Sequence, residues 1–148
     1  MRGSRARRRA FGTAALLVLA APAVVPPPAS AADGITVSIA KHANLTPGGG
    51  VVISVQVTCP QLPGSLDFQE AHAGASQDRT GAWSESGLDG TVVCDGQPHV
   101  HTAHFTSFAD PFKGGPASAN ASVIVCHIVG EEQVCATGSS ASRIVIRG

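Results

Sequence analysis

The chain has 148 residues, with ten basic and ten acidic side chains, one Trp, five Phe and no Tyr. Arg2, Arg5, Arg7, Arg8 and Arg9 hold half of the basic charge, so from residue 33 onward five cations face ten carboxylates, and five minus ten gives minus five. That sign lacks the cationic field that nucleic acid or an anionic lipid surface requires, and residues 33–148 have the length of one small domain.

Residues 1–32 read as a secretory signal peptide. Five arginines precede an apolar run from Ala10 to Val25, and Ala29-Ser30-Ala31 supplies the small residues that a signal peptidase accepts, with cleavage after Ala31 or Ala32. The apolar run is short of the roughly 20 residues that span a bilayer. Arg8-Arg9-Ala10-Phe11 also fits the core of a twin-arginine signal, which leaves the export route open. No second apolar segment follows, and a soluble secreted monomer is expected.

Ile35, Val37 and Ile39 alternate with polar residues and predict the first strand. Thr46-Pro47-Gly48-Gly49-Gly50 supplies a turn. The clearest strand follows, since Val51, Ile53, Val55, Val57 and Cys59 share one parity while Ser54, Gln56 and Thr58 take the other. Shorter candidates are 66–72, 79–84, 90–93, 99–106, 117–128 and 133–136, separated by Gly and Pro at intervals near ten residues. Ile144 and Ile146 alternate with Arg143, Val145 and Arg147, a pattern suited to a last edge strand. No window shows helical periodicity. Some seven to nine closely spaced strands must close their apolar faces on each other, which predicts an all-β immunoglobulin-like sandwich of two antiparallel sheets, with a small closed barrel as the alternative.

A domain of this size with few aromatics needs cross-links, and all four cysteines lie in the exported part. Four cysteines allow three pairings. Cys126 and Cys135 flank a segment whose Gly130-Glu131-Glu132 reads as a hairpin turn, so a bridge across that hairpin is natural, and Cys59 is left with Cys94. Zinc binding by the same thiols would need cysteines two to four apart.

Thr58-Cys59-Pro60, Cys94-Asp95-Gly96 and the run Pro111-Phe112-Lys113-Gly114-Gly115-Pro116-Ala117 leading to Cys126 resemble a family of small secreted actinobacterial domains of uncharacterised function. The resemblance covers nearly all of the exported part and implies an all-β domain with two disulfides and no catalytic residue. Where that family places a tryptophan after the Cys-Asp-Gly turn, this chain has His99, His101 and His104. A fainter similarity to the neocarzinostatin-type apoproteins, in leader, size, disulfide number and strand content, implies a small apolar ligand; their second cysteine pair is more tightly spaced than Cys126 and Cys135.

His99 and His101 lie on one face of a strand, about 7 Å apart at the backbone, close enough to share copper or zinc, whereas His104 has the opposite parity. A zinc site needs at least three protein ligands, so a third would come from His42, His72, His127 or a carboxylate. Ala103 and Phe105 share the parity of His99 and His101, which suits an inward-turning face with a hydrogen-bonded His101. Ser84, Ser86, Asp89 and Asp95 are conceivable hydrolase partners, but no G-x-S-x-G or H-E-x-x-H motif accompanies them. Asp78, Glu85, Asp89 and Asp95 lack the D-x-D-x-D-G spacing of a calcium loop. Trp83 is read first as the central core residue of a sandwich and second as a binding anchor. The expected function is therefore a secreted, non-enzymatic binding domain for a protein, a glycan or a small apolar ligand, with no catalytic residue, cofactor or metal; the alternative is a copper or zinc protein using His99 and His101.

Overall fold

The computed structural model describes residues 34–148, so the signal peptide expected over 1–32 lies outside the described residues. Eight strands and no helix are present among them: β1 (Thr36–Ile39), β2 (His42–Leu45), β3 (Val51–Thr58), β4 (Ser65–Gln77), β5 (Ala82–Gly87), β6 (Pro98–Phe105), β7 (Gly115–Val129) and β8 (Glu132–Arg147). No helix of the described residues is long and apolar enough to cross a membrane.

The alternation in β3 organises one end of the hydrogen-bonded path. Val51, Ile53, Val55 and Val57 are buried, and the strand is paired on both edges. β6 runs along one edge from Val51↔Phe105 to Thr58↔Pro98, while β1 and then β2 share the other, at Thr36↔Thr58 and Leu45↔Val51. β2 also pairs in parallel with β8, from His42↔Val145 to Asn44↔Arg147, and the path continues antiparallel through β7 and β4 to β5. The ends of this path meet. Ser84 Oγ in β5 donates to Thr106 O just beyond β6 (2.8 Å), and the Asp89 and Phe108 amides donate to Thr102 O (2.8 Å) and Trp83 O (3.2 Å). Inward side chains from every strand form one buried cluster, built on Val, Ile and Ala with Phe112 as its largest fully buried member.

The two disulfides are Cys59–Cys94 and Cys126–Cys135. The first ties the end of β3 to the loop before β6. The second joins residues directly opposite each other in the β7–β8 ladder.

Three expectations change. β8 is no edge strand: its last turn of chain lies between β7 and β2, and Arg143, Val145 and Arg147 occupy its outward parity while Ile144 and Ile146 are buried. Residues 90–93 form no strand, because the segment spans from the Asp89–Thr102 hydrogen bond to the Cys94 disulfide with Leu88 and Val92 as inward anchors. The 133–136 and 143–147 candidates are one continuous strand. Between them Gly138 lies against Ile35, whose carbonyl oxygen would sit 2.0 Å from a Cβ at that position, and the Ile35 amide donates to Thr137 O at 3.0 Å. The crossing chain leaves room only for glycine there.

Candidate functional site

Of the two histidines on the inward parity of β6, only His101 is buried. His101 is 7 % exposed, and its Nδ1–H donates to Asp89 O at 2.9 Å, since a carbonyl can only accept. Its Nε2 is buried without a hydrogen-bond partner. His99, one pair of residues along, turns to the turn preceding β6 and meets both carboxylate oxygens of Asp95 at 3.0 Å. That carboxylate is held below the ordinary aspartate pKa, first by the Gln97 amide donating to Oδ1 at 2.8 Å and then by His99. His104, on the outward parity, pairs with Asp89 Oδ2 at 3.2 Å, and Thr102 Oγ1 donates to the same oxygen.

The structure thus separates the two histidines by function of position: one bonded to backbone, the other to a surface carboxylate. Among the described residues no group of three or more His, Cys, Asp or Glu side chains is close enough to hold a metal ion. His42, His72 and His127 are engaged elsewhere, with Arg147, Glu70 and Pro63 O. No hydrogen bond of a described histidine reaches a serine, threonine or cysteine side chain, and Ser84, the buried hydrolase candidate, donates to Thr106 O. Asp78, Glu85, Asp89 and Asp95 do not assemble around a common point.

Trp83 overturns the first expectation made for it. It is 51 % exposed, because β5 turns Ala82 and Ser84 inward and presents Trp83 and Glu85 outward. The indole lies against Phe108, itself 68 % exposed, with ring centroids 4.9 Å apart and the planes tilted by 50°. The Phe108 amide donates to Trp83 O, which fixes the segment after β6 alongside β5. Two aromatic rings therefore stand in water at the edge of the sheet, where burial would have stabilised each by about 1.5–3 kcal/mol. The signal was present in the parity of Ala82, Trp83, Ser84 and Glu85; a four-residue alternation of small and polar side chains does not by itself say which parity is inside.

Beside the aromatic pair lies a polar face. Cross-strand partners share a side of the sheet, so the register of β5, β4, β7 and β8 sets out its rows. One row is Trp83, Ser76, Ser118 and Arg143; the next is Glu85, Gly74, Asn120 and Ala141; a third is Gly87, His72, Ser122 and Ser139. Apart from Trp83 its side chains are small, polar or charged. The Asn120 carboxamide lies over Gly74, where a Cβ would sit 2.6 Å from its Oδ1.

A depression of about 220 Å³ opens at the first row, lined by Ser76, Asp78, Arg79, Pro116, Ser118 and Arg143 among others. Arg79 reaches it from the β4–β5 turn by donating to Gly114 O and lying over Gly115, where a Cβ would come within 3.3 Å of its Cζ. A second depression, about 360 Å³, lies on the same face between Glu70, His72, Ser122 and Thr137. A third, about 220 Å³, lies on the far side around Val100, Gln56 and Ser38. All three are lined mainly by outward-facing residues rather than by the buried cluster.

No protein-family model, curated protein or solved structure matches this chain.

Proposed function

We propose that this chain is a secreted, non-enzymatic interaction domain that presents the outer face of β5, β4, β7 and β8 to its partner. The observation that carries the reading is the exposed Trp83–Phe108 pair at the rim of that face. Large aromatic side chains anchor binding surfaces because they remove much area from water for little loss of side-chain freedom. Export is supported by the Arg-rich apolar leader and by four cysteines joined in two disulfides. Thr102 Oγ1 and His104 both meet Asp89 Oδ2, but among the described residues no histidine ring bonds a hydroxyl or thiol side chain that it could activate, which supports binding rather than catalysis.

The finer architecture we propose is an immunoglobulin-like two-layer sandwich, β1, β3 and β6 facing β8, β7, β4 and β5, with β2 passing between the layers. Three features support it: one buried cluster shared by all strands, β2 paired to both β3 and β8, and the hydrogen bonds from β5 to the far end of the path. The short motifs around Cys59 and Cys94 favour placing the domain among small exported actinobacterial proteins.

Trp83 is the only tryptophan, so its fluorescence reports directly on the proposed surface. Iodide should quench it in the free protein, and a ligand docked on this face should shield it while raising the melting temperature in a concentration-dependent way. A ligand that binds with unchanged iodide quenching, and binds Trp83→Ala as tightly as the parent, would remove this face from the reading.

A further inference from the structure

We infer that the ligand is an acidic saccharide, its sugar ring stacked on Trp83 and its anionic group held by Arg143 and Arg79. The inference rests on the binding face proposed above and names what that face recognises. Trp83, Ser76, Ser118 and Arg143 form one cross-strand row over four neighbouring strands. Three strand spacings of about 4.8 Å place the ends of this row about 14 Å apart at the backbone, the span of a short oligosaccharide rather than of one ring.

The chemistry changes along the row in the order a charged sugar requires. An exposed indole offers an apolar plane to the C–H face of a pyranose while the ring hydroxyls remain free to hydrogen-bond. Ser76 and Ser118 hydroxyls follow, exposed and, among the described residues, without a protein hydrogen-bond partner, and they can both donate and accept. The row ends at Arg143, and Arg79 lines the same depression. Among the described residues neither guanidinium has a carboxylate within 4.0 Å. Asp78 also lines the depression, so two cations against one anion leave it one positive charge in a domain that is otherwise acidic. Guanidinium groups bind carboxylate and sulfate through paired N–H donors, and Arg79 is held for that role by Gly114 O and the flat backbone of Gly115.

The depression beside Arg79 and Arg143 is small. About 220 Å³ is below the roughly 300–1,000 Å³ of sites that enclose drug-sized molecules, and suits one charged group with the rest of the ligand lying across the open face. A protein partner is disfavoured along this row because hot spots sit in desolvated apolar pockets, whereas Ser76, Ser118 and Arg143 follow Trp83 across the strands; the exposed Val145 and Phe108 lie outside the row. Nucleic acid is disfavoured by the net negative charge of the domain.

The test is a fluorescence titration of the secreted protein with a galacturonic acid trimer, a sulfated disaccharide and a neutral galactose trimer. At least one of the two acidic probes should change Trp83 emission, the pair distinguishing carboxylate from sulfate as the anion, and the neutral trimer should bind at least about tenfold more weakly. Arg143→Ala should remove about tenfold of the acidic affinity at an unchanged melting temperature, and Arg143→Lys should restore part of it. Binding should weaken with salt as the screening length falls from about 10 Å at 0.1 M to about 3 Å at 1 M. Should neither acidic probe bind, or should Arg143→Ala bind the acidic probe as the parent does, the inference is wrong. If the neutral trimer or a protein shields Trp83 while both acidic sugars fail, the binding face stands without this ligand. If calorimetric titration, which needs no tryptophan, shows acidic sugars binding Trp83→Ala as tightly as the parent, both fall.

Discussion

The inner face of β6 and the outer row from Trp83 to Arg143 exchange the parts that residue chemistry alone assigns to them. His99 and His101, the types most often found at reactive or metal sites, share the inward parity and are tied to Asp95 and to Asp89 O, His101 in the core and His99 half-exposed at the turn. Trp83, the type most often found in a core, lies in solvent beside Ser, Asn and Arg. In a thin β-protein, position parity on the strand decides availability before side-chain chemistry does. A buried histidine on the inward parity is held by the fold, and a tryptophan on the outward parity is left exposed.

The strongest way to break this contrast is to release the loop that pins the inner face. Asp89 and Asp95, the partners of His101 and His99, lie either side of the Cys59–Cys94 anchor. By loop entropy the separation of 35 is worth about 4 kcal/mol and the hairpin separation of 9 about 3 kcal/mol, and removing a native bridge costs about 2–5 kcal/mol. The Cys59→Ser, Cys94→Ser double variant should therefore melt about 10–30 °C lower or fail to fold, and more severely than the Cys126→Ser, Cys135→Ser variant. Calorimetry of both decides it; equal losses would mean that the β6 loop is held by its other contacts.

His101→Ala comes next. It leaves Asp89 O without its donor and opens space beside β3, at a cost of about 1–3 kcal/mol by chemical denaturation. His99→Ala should stay within about 0.5 kcal/mol, because its ring is exposed at the turn. Near-equal effects would erase the distinction between the two histidines.

Much of the fold is legible in the residues, and the failures have identifiable causes. From Ile53 to Thr58 apolar and polar residues alternate because one face of β3 is dry, and the Gly130-Glu131 turn fixes the β7–β8 register that sets Cys126 opposite Cys135. β2 is invisible because four residues, His-Ala-Asn-Leu, carry a single fully buried side chain, Ala43. The middle of β8 is invisible because Gly138, Ser140 and Ser142, on the parity of Ala136 and Ile144, are small, with Ile35 lying against Gly138, so no apolar stripe marks the strand. For the site, composition points to His99 and Trp83 as residues of interest. It says nothing of the row joining Trp83 to Arg143, since that row draws one residue from each of four strands and exists only in the cross-strand register.

The outer face should behave in the opposite way to the inner one. Trp83→Ala is expected to leave stability within about 0.5–1 kcal/mol, the part lost being its contact with Phe108. Iodide quenching of the parent gives the complementary reading on the same residue. A loss as large as that of His101→Ala would place the indole in the core.

The smallest expected effect lies at the start of β6, where Asp95 links the disulfide to His99. Its carboxylate is favoured in the folded state by the Gln97 amide and, secondarily, by His99, which lowers its pKa below the value in an unfolded chain. A lowered folded-state pKa means that the ionised form binds its proton less readily when folded, so its stabilising contribution is complete above the ordinary aspartate pKa and disappears as the pH falls through the lower, folded value. Asp95→Asn removes that dependence. The parent and the variant should differ in stability at neutral pH and converge in strong acid, whereas His99→Ala should narrow the gap without closing it, because the Gln97 amide remains. A difference between parent and Asp95→Asn that grows toward low pH would reverse the sign and show that the folded protein holds this carboxyl group protonated.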